Sequence, residues 1–393
     1  MFGNCRSGFI LFHLYQLING QTAVDVNNLY RDIFDGYRSE IVPAANHSQP
    51  IEIGIAFYLM AINSFQVVDE TLSVNGGLVL NWTDVSISWN PQKYGNKSSL
   101  EIPSTDIWLP WIYLINSAKT LEPIGSDSFF RATIFSNGNV VYSPGDVLDV
   151  KCATDVASFP FDIQNCELEF HVQHVWGSGN ESYIFTTVSD AILMDYYTEN
   201  SNWEIIYTCS YTKLHSAGFY SYQVKISLKR KPRYHAVMII LPTMLLCFLN
   251  PVVFLLPVES GERISLAMTI LLSYAIFLTL VAESIPASSN PMCFLLIIMI
   301  LITMISGLTV IFVIISNRYY YKKSYEPGKI TSCLAHIIVR GKTKSISPGK
   351  LVKEGMCFPC AKDVSEALDK IFLVTSYTMI CVVLATYLIF VFI

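Results

Sequence analysis

Residues 262–283 read ERISLAMTILLSYAIFLTLVAE, an apolar stretch with an acidic residue at each end. The stretch belongs to the second of four apolar runs of 22 to 24 residues, at 234–256, 264–285, 292–315 and 371–393. A helix of that length crosses a hydrocarbon core of about 30 Å. Because every backbone polar group in lipid needs an internal partner, we predict four membrane-spanning helices.

Within the quoted stretch, seven residues recur at alternating steps of 3 and 4, which places them in one stripe along a helix. The stripe consists of Glu262, Ser265, Thr269, Leu272, Ile276, Thr279 and Glu283. It holds both acidic residues and three of the four Ser and Thr residues of the stretch. Since lipid leaves polar groups unsatisfied, the stripe is predicted to face water or polar protein. A packed bundle with interhelical hydrogen bonds explains Ser265 and Thr269, but it explains the two acidic ends poorly.

Several copies of this helix around an axis would form a pore. Glu262 then gives an inner acidic ring and Glu283 an outer one, which attract cations and repel anions. Leu272 and Ile276 form an apolar constriction that closes by dewetting. The stripe therefore predicts a cation-selective pore for Na⁺ and K⁺, and it leaves permeation by Ca²⁺ open.

The composition excludes several other classes of protein. Hydrophobic residues make up 52% and charged residues only 15% of the chain, whereas soluble proteins carry about 25% charge. The formal net charge of −5 argues against binding to nucleic acid. Catalytic triads, P-loops and dinucleotide-binding motifs are not found in a suitable context, so we expect neither an enzyme nor a bound cofactor.

The charge distribution predicts the orientation in the plasma membrane. Arg6 and the apolar residues 9–18 indicate a signal peptide at 1–20, which places residues 21–232 outside. Residues 318–370, with 11 Lys and Arg against 5 Asp and Glu, then lie inside, as the positive-inside rule requires. All four N-glycosylation motifs fall in the outer part. They begin at Asn46, Asn81, Asn96 and Asn180.

The outer part is predicted to be one all-β domain, a β-sandwich with a single N-terminal helix at 27–39. Short stretches at 51–60, 77–89, 129–141 and 166–175 alternate apolar and polar residues, as half-buried strands do. Asn75-Gly76-Gly77 and Asn137-Gly138 are typical of turns. The predicted organisation is therefore a signal peptide (1–20), an extracellular sandwich (21–232), three helices (233–316), a cytoplasmic segment with an amphipathic helix (317–370) and a fourth helix (371–393).

Three cysteines lie in the outer domain: Cys152, Cys166 and Cys209. The first two enclose thirteen residues, a loop whose closure by a disulfide restricts the unfolded chain. Cys209 is then left unpaired within the chain.

The enclosed loop contains Phe159-Pro160-Phe161-Asp162 and is followed by the four apolar runs. This pattern resembles the Cys-loop pentameric ligand-gated ion channels, and most closely their nicotinic, cation-conducting branch. Further matching motifs run along the chain: Trp82-Thr83-Asp84, Trp108-Leu109-Pro110, Gly261-Glu262-Arg263 and Ile285-Pro286. The resemblance implies assembly with four further subunits, the same or homologous, and sites for a small extracellular ligand between neighbouring outer domains.

The resemblance also implies which residues couple the outer domain to the pore. Glu70, the loop tip Phe159, Pro160 and Phe161, Arg230 and Pro286 are expected to meet at the membrane face. An ion pair between Glu70 and Arg230 would link the sandwich to the first helix. Separate solvated charges are an equally good interpretation, since exposed pairs contribute only about 0–1 kcal/mol.

The aromatic box that holds a cationic amine in nicotinic receptors is kept only in part. Tyr207 fits it, and Phe219 or Tyr220 fits the second aromatic position of the same hairpin. Gln173 stands where a tryptophan is expected, with Trp176 three residues further on, and Ile115 replaces another aromatic residue. Cys209-Ser210 replaces the adjacent cysteine pair. The ligand is therefore open and acetylcholine is doubtful, and ordinary packing explains Tyr207, Phe219 and Trp176 nearly as well.

Two alternatives to a conducting subunit with its own ligand site remain open. The chain could be an accessory subunit whose partner completes the ligand site, or a non-conducting receptor whose helices only anchor it.

His171 and His174 are three residues apart on a predicted strand and therefore point to opposite faces. Cys333, His336, Cys357 and Cys360 have spacings compatible with zinc, although palmitoylation or free thiols are more usual near a membrane.

Overall fold

The protein was analysed as a computed structural model that describes residues 22–44, 46–126, 130–172, 183–189, 191–216, 219–286, 291–321 and 361–392. Two compact units emerge from the contacts within the chain. The first combines the ranges Met1–Thr154 and Gln164–Lys229, and the second combines Asp155–Ile163 with Arg230–Ile393. Residues 155–163, the tip of the cysteine-bounded loop, therefore belong to the unit that contains the membrane helices.

Helix α1, Ala23–Phe34, confirms the predicted N-terminal helix but begins four residues earlier and ends five residues sooner. Thr22 and Asp25 form a reciprocal capping box that fixes its start. Leu29 and Ile33 are buried at helical spacing. Tyr37 lies beyond the helix, where its hydroxyl donates to Asp84 at 2.8 Å and accepts from the backbone N–H of Trp108 at 3.0 Å.

The described strands form a two-sheet sandwich, as predicted. One sheet has the order β3-β5-β6-β2-β1-β9, with β7 also paired to β2, and the other has the order β10-β11-β8-β4. Phe57 on β1 and Phe170 on β8 meet between the sheets with ring centroids 5.7 Å apart. The strands are β1 Ile51–Gln66, β2 Thr71–Thr83, β3 Ser99–Pro103, β4 Ile112–Leu114, β5 Arg131–Phe135, β6 Asn139–Tyr142, β7 Gly145–Lys151, β8 Ile163–Val172, β9 Tyr183–Thr187, β10 Trp203–Leu214 and β11 Tyr220–Arg230.

Two local predictions in the sandwich were wrong. Asn75-Gly76-Gly77 is not a turn but lies inside β2. Glycine is needed at positions 76 and 77 because the neighbouring backbone leaves no room for a side chain. A Cβ on Gly76 would lie 2.5 Å from the carbonyl oxygen of Tyr58, and one on Gly77 would lie 2.1 Å from that of Pro144. The predicted strand 129–141 is two strands, β5 and β6, separated at Gly138, whose φ of 83° favours glycine.

In the described part of the chain, four long helices follow the sandwich strands. They are α2 Arg233–Leu255, α3 Arg263–Glu283, α4 Phe294–Tyr320 and α5 Ala361–Phe392, and each is long and apolar enough to cross a membrane. Helix α2 contains a π-helical turn at Ala236–Ile240, and the rings of Phe312 on α4 and Phe372 on α5 stack 4.3 Å apart.

Two of these helices extend past the predicted runs. Helix α4 continues to Tyr320, and α5 starts ten residues before position 371. The amphipathic helix predicted before the fourth span is therefore the beginning of α5. Val364, Ser365, Ala367 and Asp369 are buried, so packing continues the helix into this polar sequence.

Candidate functional site

The predicted stripe lies on the face of α3 that the rest of the chain leaves uncovered. All seven stripe residues are exposed in the single subunit, including Leu272 at 62% and Ile276 at 53%. The buried residues of α3 lie on the opposite face, and they are Arg263, Ala267, Ile270, Tyr274 and Val281. A polar face inside a membrane-spanning helix therefore stays open within one chain.

The two threonine hydroxyl groups on this face are bonded within their own helix. Thr269 Oγ1 donates to the carbonyl oxygen of Ser265 at 2.9 Å, and Thr279 Oγ1 donates to that of Ile276 at 2.8 Å. Each hydroxyl oxygen can still accept a hydrogen bond. The stripe thus offers oxygen acceptors between its acidic ends, as a surface for cations requires.

The cysteine-bounded loop is closed by a disulfide, as expected. The sulfurs of Cys152 and Cys166 are bonded at 2.03 Å. At the loop tip, Asp162 accepts from Arg230 Nε at 2.7 Å and from Arg230 Nη2 at 3.0 Å. The guanidinium carbon of Arg230 lies 5.0 Å from the ring centroid of buried Phe159, a cation–π contact.

These contacts bring together two of the predicted coupling residues, Phe159 and Arg230. The carboxylate that holds Arg230 is Asp162, where the sequence suggested Glu70. Glu70 stands at the turn between β1 and β2, and its carbonyl oxygen accepts from the backbone N–H of Cys152 at 2.9 Å. Pro160 is buried, Phe161 is half-buried, and Pro286 follows the end of α3.

The β10–β11 hairpin carries the predicted ligand residues, but they are not all close together. The backbone N–H of His215 donates to the carbonyl oxygen of Phe219 at 2.9 Å, which places both at the hairpin tip. Tyr207 is eight residues before His215 along β10, roughly 27 Å in an extended strand. Tyr207 is 58% exposed, and this separation along the strand places it away from the hairpin tip.

At the hairpin tip, the Phe219 ring lies between two histidines. Its centroid is 4.6 Å from that of His171 and 4.5 Å from that of His215, with which it stacks. His215 Nε2 lies 2.8 Å from Glu169 Oε1, and Gln223 Nε2 donates to the same oxygen at 3.1 Å. The carbonyl oxygen of Tyr220 lies 3.2 Å from His171 Nδ1. We call Glu169, His171, His215, Phe219, Tyr220 and Gln223 the tip cluster.

Electrostatics favour a charged Glu169 in the tip cluster. Burial raises the pKa of its carboxyl group, but hydrogen bonds from Gln223 and Ser221 and the charge of His215 outweigh burial. The net result is a pKa below the ordinary value of glutamate. Sequence reasoning missed Glu169 and His215, although the two-residue step from Glu169 to His171 already placed both on one face of β8.

The other predicted ligand residues are scattered or cannot be placed. Ile115 is 42% exposed, and its backbone N–H donates to the carbonyl oxygen of Glu169 at 2.8 Å. Cys209 is a free thiol among the described residues, as predicted. Gln173, His174 and Trp176 lie outside the described residues.

Several further predictions concern modification, metal binding and processing. Asn46 and Asn96 are exposed, whereas Asn81 is half-buried in β2 and paired on both sides, with Gly54 and Val141. Asn180, the predicted signal peptide (1–20) and the group Cys333, His336, Cys357 and Cys360 lie outside the described residues. Among the described residues, no cluster of three metal-binding side chains is found.

A sandwich with a disulfide-closed loop, followed by four helices that can span a membrane, defines a class of multi-pass membrane receptor. Residues 26–232 match the neurotransmitter-gated ion-channel ligand binding domain, and residues 239–340 match the neurotransmitter-gated ion-channel transmembrane region. The chain therefore belongs to the neurotransmitter-gated ion-channel family. This family consists of plasma-membrane proteins with an extracellular ligand-binding domain, and it is not a family of enzymes.

Individual relatives are acetylcholine receptor subunits. The chain is 31% identical to the neuronal acetylcholine receptor subunit beta-3 of Rattus norvegicus, over 76% of this chain and 64% of the relative. It is 30% identical to the acetylcholine receptor subunit beta-type lev-1 of Caenorhabditis elegans, over 73% of this chain and 56% of the relative. The match to beta-type unc-29 of the same organism has 31% identity over 84% of this chain and 68% of the relative. The chain thus spans a little over half to two thirds of these relatives.

Proposed function

We propose that this chain is one subunit of a pentameric, cation-selective channel that a small extracellular ligand opens. The observation that carries the proposal is the uncovered polar stripe of α3. Its seven residues are exposed in the single chain, while the opposite face of the helix is buried. Because lipid cannot satisfy this stripe, it needs neighbouring subunits and water in front of it.

The charges of the stripe support selectivity for cations. Glu262 and Glu283 mark its two ends and are both exposed. Assembled around an axis, they form acidic rings that concentrate Na⁺, K⁺ and, by the same attraction, Ca²⁺. Leu272 and Ile276 lie between the rings and close the pore when water leaves the constriction.

The ligand is a separate part of the proposal. Relatives are named as acetylcholine receptor subunits, and a quaternary amine is held by a cage of aromatic rings. Here Phe219 lies between two histidines, Tyr207 is far along the strand, and Ile115 supplies no ring. These observations favour a second candidate function, an accessory subunit that conducts ions but needs a partner subunit to complete the ligand site.

A ligand-independent test uses Leu272→Ser in the full chain, expressed alone. Hydrating the constriction should produce a standing current without agonist. Replacing external Na⁺ by N-methyl-D-glucamine should then move the reversal potential to negative values. The matched control is Leu266→Ser, since Leu266 lies on the same helix roughly 120° away from Leu272. The control should give no standing current.

Each other result contradicts part of the proposal. A reversal potential that follows chloride would overturn cation selectivity. Equal currents from the two variants would show that Leu272 does not line the pore. Surface-expressed Leu272→Ser without current argues against a homomeric channel, and co-expression with a related subunit then distinguishes an accessory subunit from a non-conducting receptor.

A further inference from the structure

Arg263 is a cation beside the predicted inner acidic ring. It follows Glu262 directly in the chain, and an exposed arginine there would offset the charge of Glu262. Its side chain is instead buried on the opposite face of α3, with a relative exposure of 3%. The position of Arg263 therefore bears directly on the field that an ion meets at the inner end of the stripe.

The guanidinium of Arg263 is held by three acceptors. Nη2 donates to Asp369 Oδ2 at 2.7 Å and to the carbonyl oxygen of Phe254 at 3.0 Å. Nε donates to the carbonyl oxygen of Leu256 at 2.5 Å. The two carbonyls come from the end of α2, and Asp369 is the carboxylate that neutralises the cation.

Asp369 is itself fixed by the neighbouring helix. Its second oxygen, Oδ1, accepts from Ser316 Oγ on α4 at 2.5 Å. Ser365, one turn earlier on α5, donates to the carbonyl oxygen of Ser316 at 3.1 Å. Both oxygens of the buried carboxylate are thus used, and it cannot turn away from Arg263 without losing a hydrogen bond.

We propose that Asp369 determines ion selectivity by acting through Arg263. It holds the guanidinium away from the stripe and cancels its charge, so that Glu262 alone sets the sign of the field at the inner end of the pore. With Asp369 in place, Glu262, Arg263 and Asp369 carry one net negative charge per subunit, and without it they carry none. This inference rests on the proposed cation-selective pore.

The test is made in the conducting Leu272→Ser background, by measuring the reversal potential while external NaCl is diluted with sucrose. Asp369→Asn should lower the ratio of Na⁺ to Cl⁻ permeability about tenfold, because the net charge at the inner ring is removed. The matched control is Glu366→Gln, which makes the same charge change on the same helix. Glu366 is exposed and pairs with Lys370 at 2.8 Å, so this variant should keep the parent ratio.

A double variant separates charge from structure. Arg263→Gln with Asp369→Asn removes both charges and leaves one net negative charge per subunit, so it should recover the parent permeability ratio. If the ratio stays low in the double variant, Asp369 has only a structural role and the inference is wrong. It is also wrong if Asp369→Asn matches the Glu366→Gln control. Should Asp369→Asn fail to reach the surface, Arg263→Gln alone leaves two net negative charges per subunit and should raise the permeability ratio, and an unchanged ratio would then contradict the inference.

The parent variant keeps the two proposals distinguishable. Leu272→Ser that gives no cation current at the surface, either alone or co-expressed with a related subunit, contradicts the proposed pore itself. A normal cation current in the parent, together with an unchanged ratio in Asp369→Asn, contradicts only the role of Asp369.

Discussion

The stripe of α3 and the tip cluster of the β10–β11 hairpin are both polar, but they are satisfied in opposite ways. The stripe faces away from its own chain, and its acidic ends are exposed. The tip cluster is closed within the chain, since Glu169 is bonded to His215 and Gln223 and the Phe219 ring stacks on His215. The stripe is therefore open in the single subunit, whereas the residues of the tip cluster have hydrogen-bond and ring partners within the same chain.

This contrast separates residues that stabilise a subunit from residues that act only in the assembly. Removing one partner of a hydrogen bond or ion pair within the subunit leaves a less exposed polar group unsatisfied, which lowers the stability of the subunit. Substituting an exposed residue of the stripe costs little stability but changes the surface that the subunit presents in the assembly. The ion pair of Asp162 and Arg230 is less exposed to solvent than the tip cluster, since both of its residues are buried.

The largest loss of stability is therefore expected for Asp162→Asn. This substitution keeps the shape of the side chain but removes the carboxylate charge that pairs with the buried guanidinium of Arg230 at 2.7 Å, and breaking a buried ion pair costs about 3–5 kcal/mol. The thermal unfolding of the detergent-solubilised protein, followed by size-exclusion chromatography, measures the effect. The control Glu167→Gln breaks the solvent-exposed pair with Lys225, 2.6 Å in length, and should cost far less stability than Asp162→Asn. Similar losses in both variants would contradict the distinction.

A smaller effect is expected at the tip cluster, and it depends on pH. Because the pKa of Glu169 is lowered in the folded protein, its stabilising contribution is fully present above the ordinary glutamate value of about 4.3. The contribution is lost as the pH falls through the lowered pKa. Between pH 6 and pH 3, hydrogen exchange should show protection factors of the hairpin amides falling about two- to fivefold, as for a partly exposed pair.

Glu169→Gln provides the comparison for this pH effect. The variant should have low protection already at pH 6 and should lose the part of the pH dependence that belongs to Glu169. An unchanged pH dependence in the variant would assign the effect to another group.

The smallest effect on stability is expected in the stripe, for Thr269→Val. The lost hydroxyl is exposed and bonded only to its own helix among the described contacts, so the change should stay within about 0.5 kcal/mol. The same substitution at buried Thr309 removes an acceptor for Asn250 Nδ2, 3.4 Å away, and should cost about 1–3 kcal/mol. Thermal unfolding measures both variants, and a loss at Thr269 equal to that at Thr309 would mean that the stripe is packed against protein.

The parts of the molecule that could be predicted are those with a local signal. The stripe was found because its residues recur at a helical period within one stretch. The membrane helices and the strand β8 can be predicted for the same reason, because the spacing of apolar residues within one segment shows which face is buried. The disulfide between Cys152 and Cys166 can also be predicted from a local signal, because it closes a short loop.

The missed features depend on residues far apart in the chain. Asp369 is 106 residues from Arg263, and no local pattern connects them. Asp162 was read as part of a motif, while its partner Arg230 lies 68 residues away. Gly76 and Gly77 were misread as a turn because glycine serves equally where another backbone comes close. The sequence groups Tyr207 with Phe219 because no local pattern marks the position of the hairpin tip.

Helix α5 has a mechanical consequence. Its 32 residues contain neither proline nor glycine and give a rod of about 48 Å, whereas the hydrocarbon core is only about 30 Å thick. The helix therefore exceeds the thickness of the hydrocarbon core by about three turns, and Asp369 ties the Ala361 end of the rod to the base of α3. Because the helix is continuous, a sideways displacement of its Ala361 end would be carried through this attachment to the base of α3.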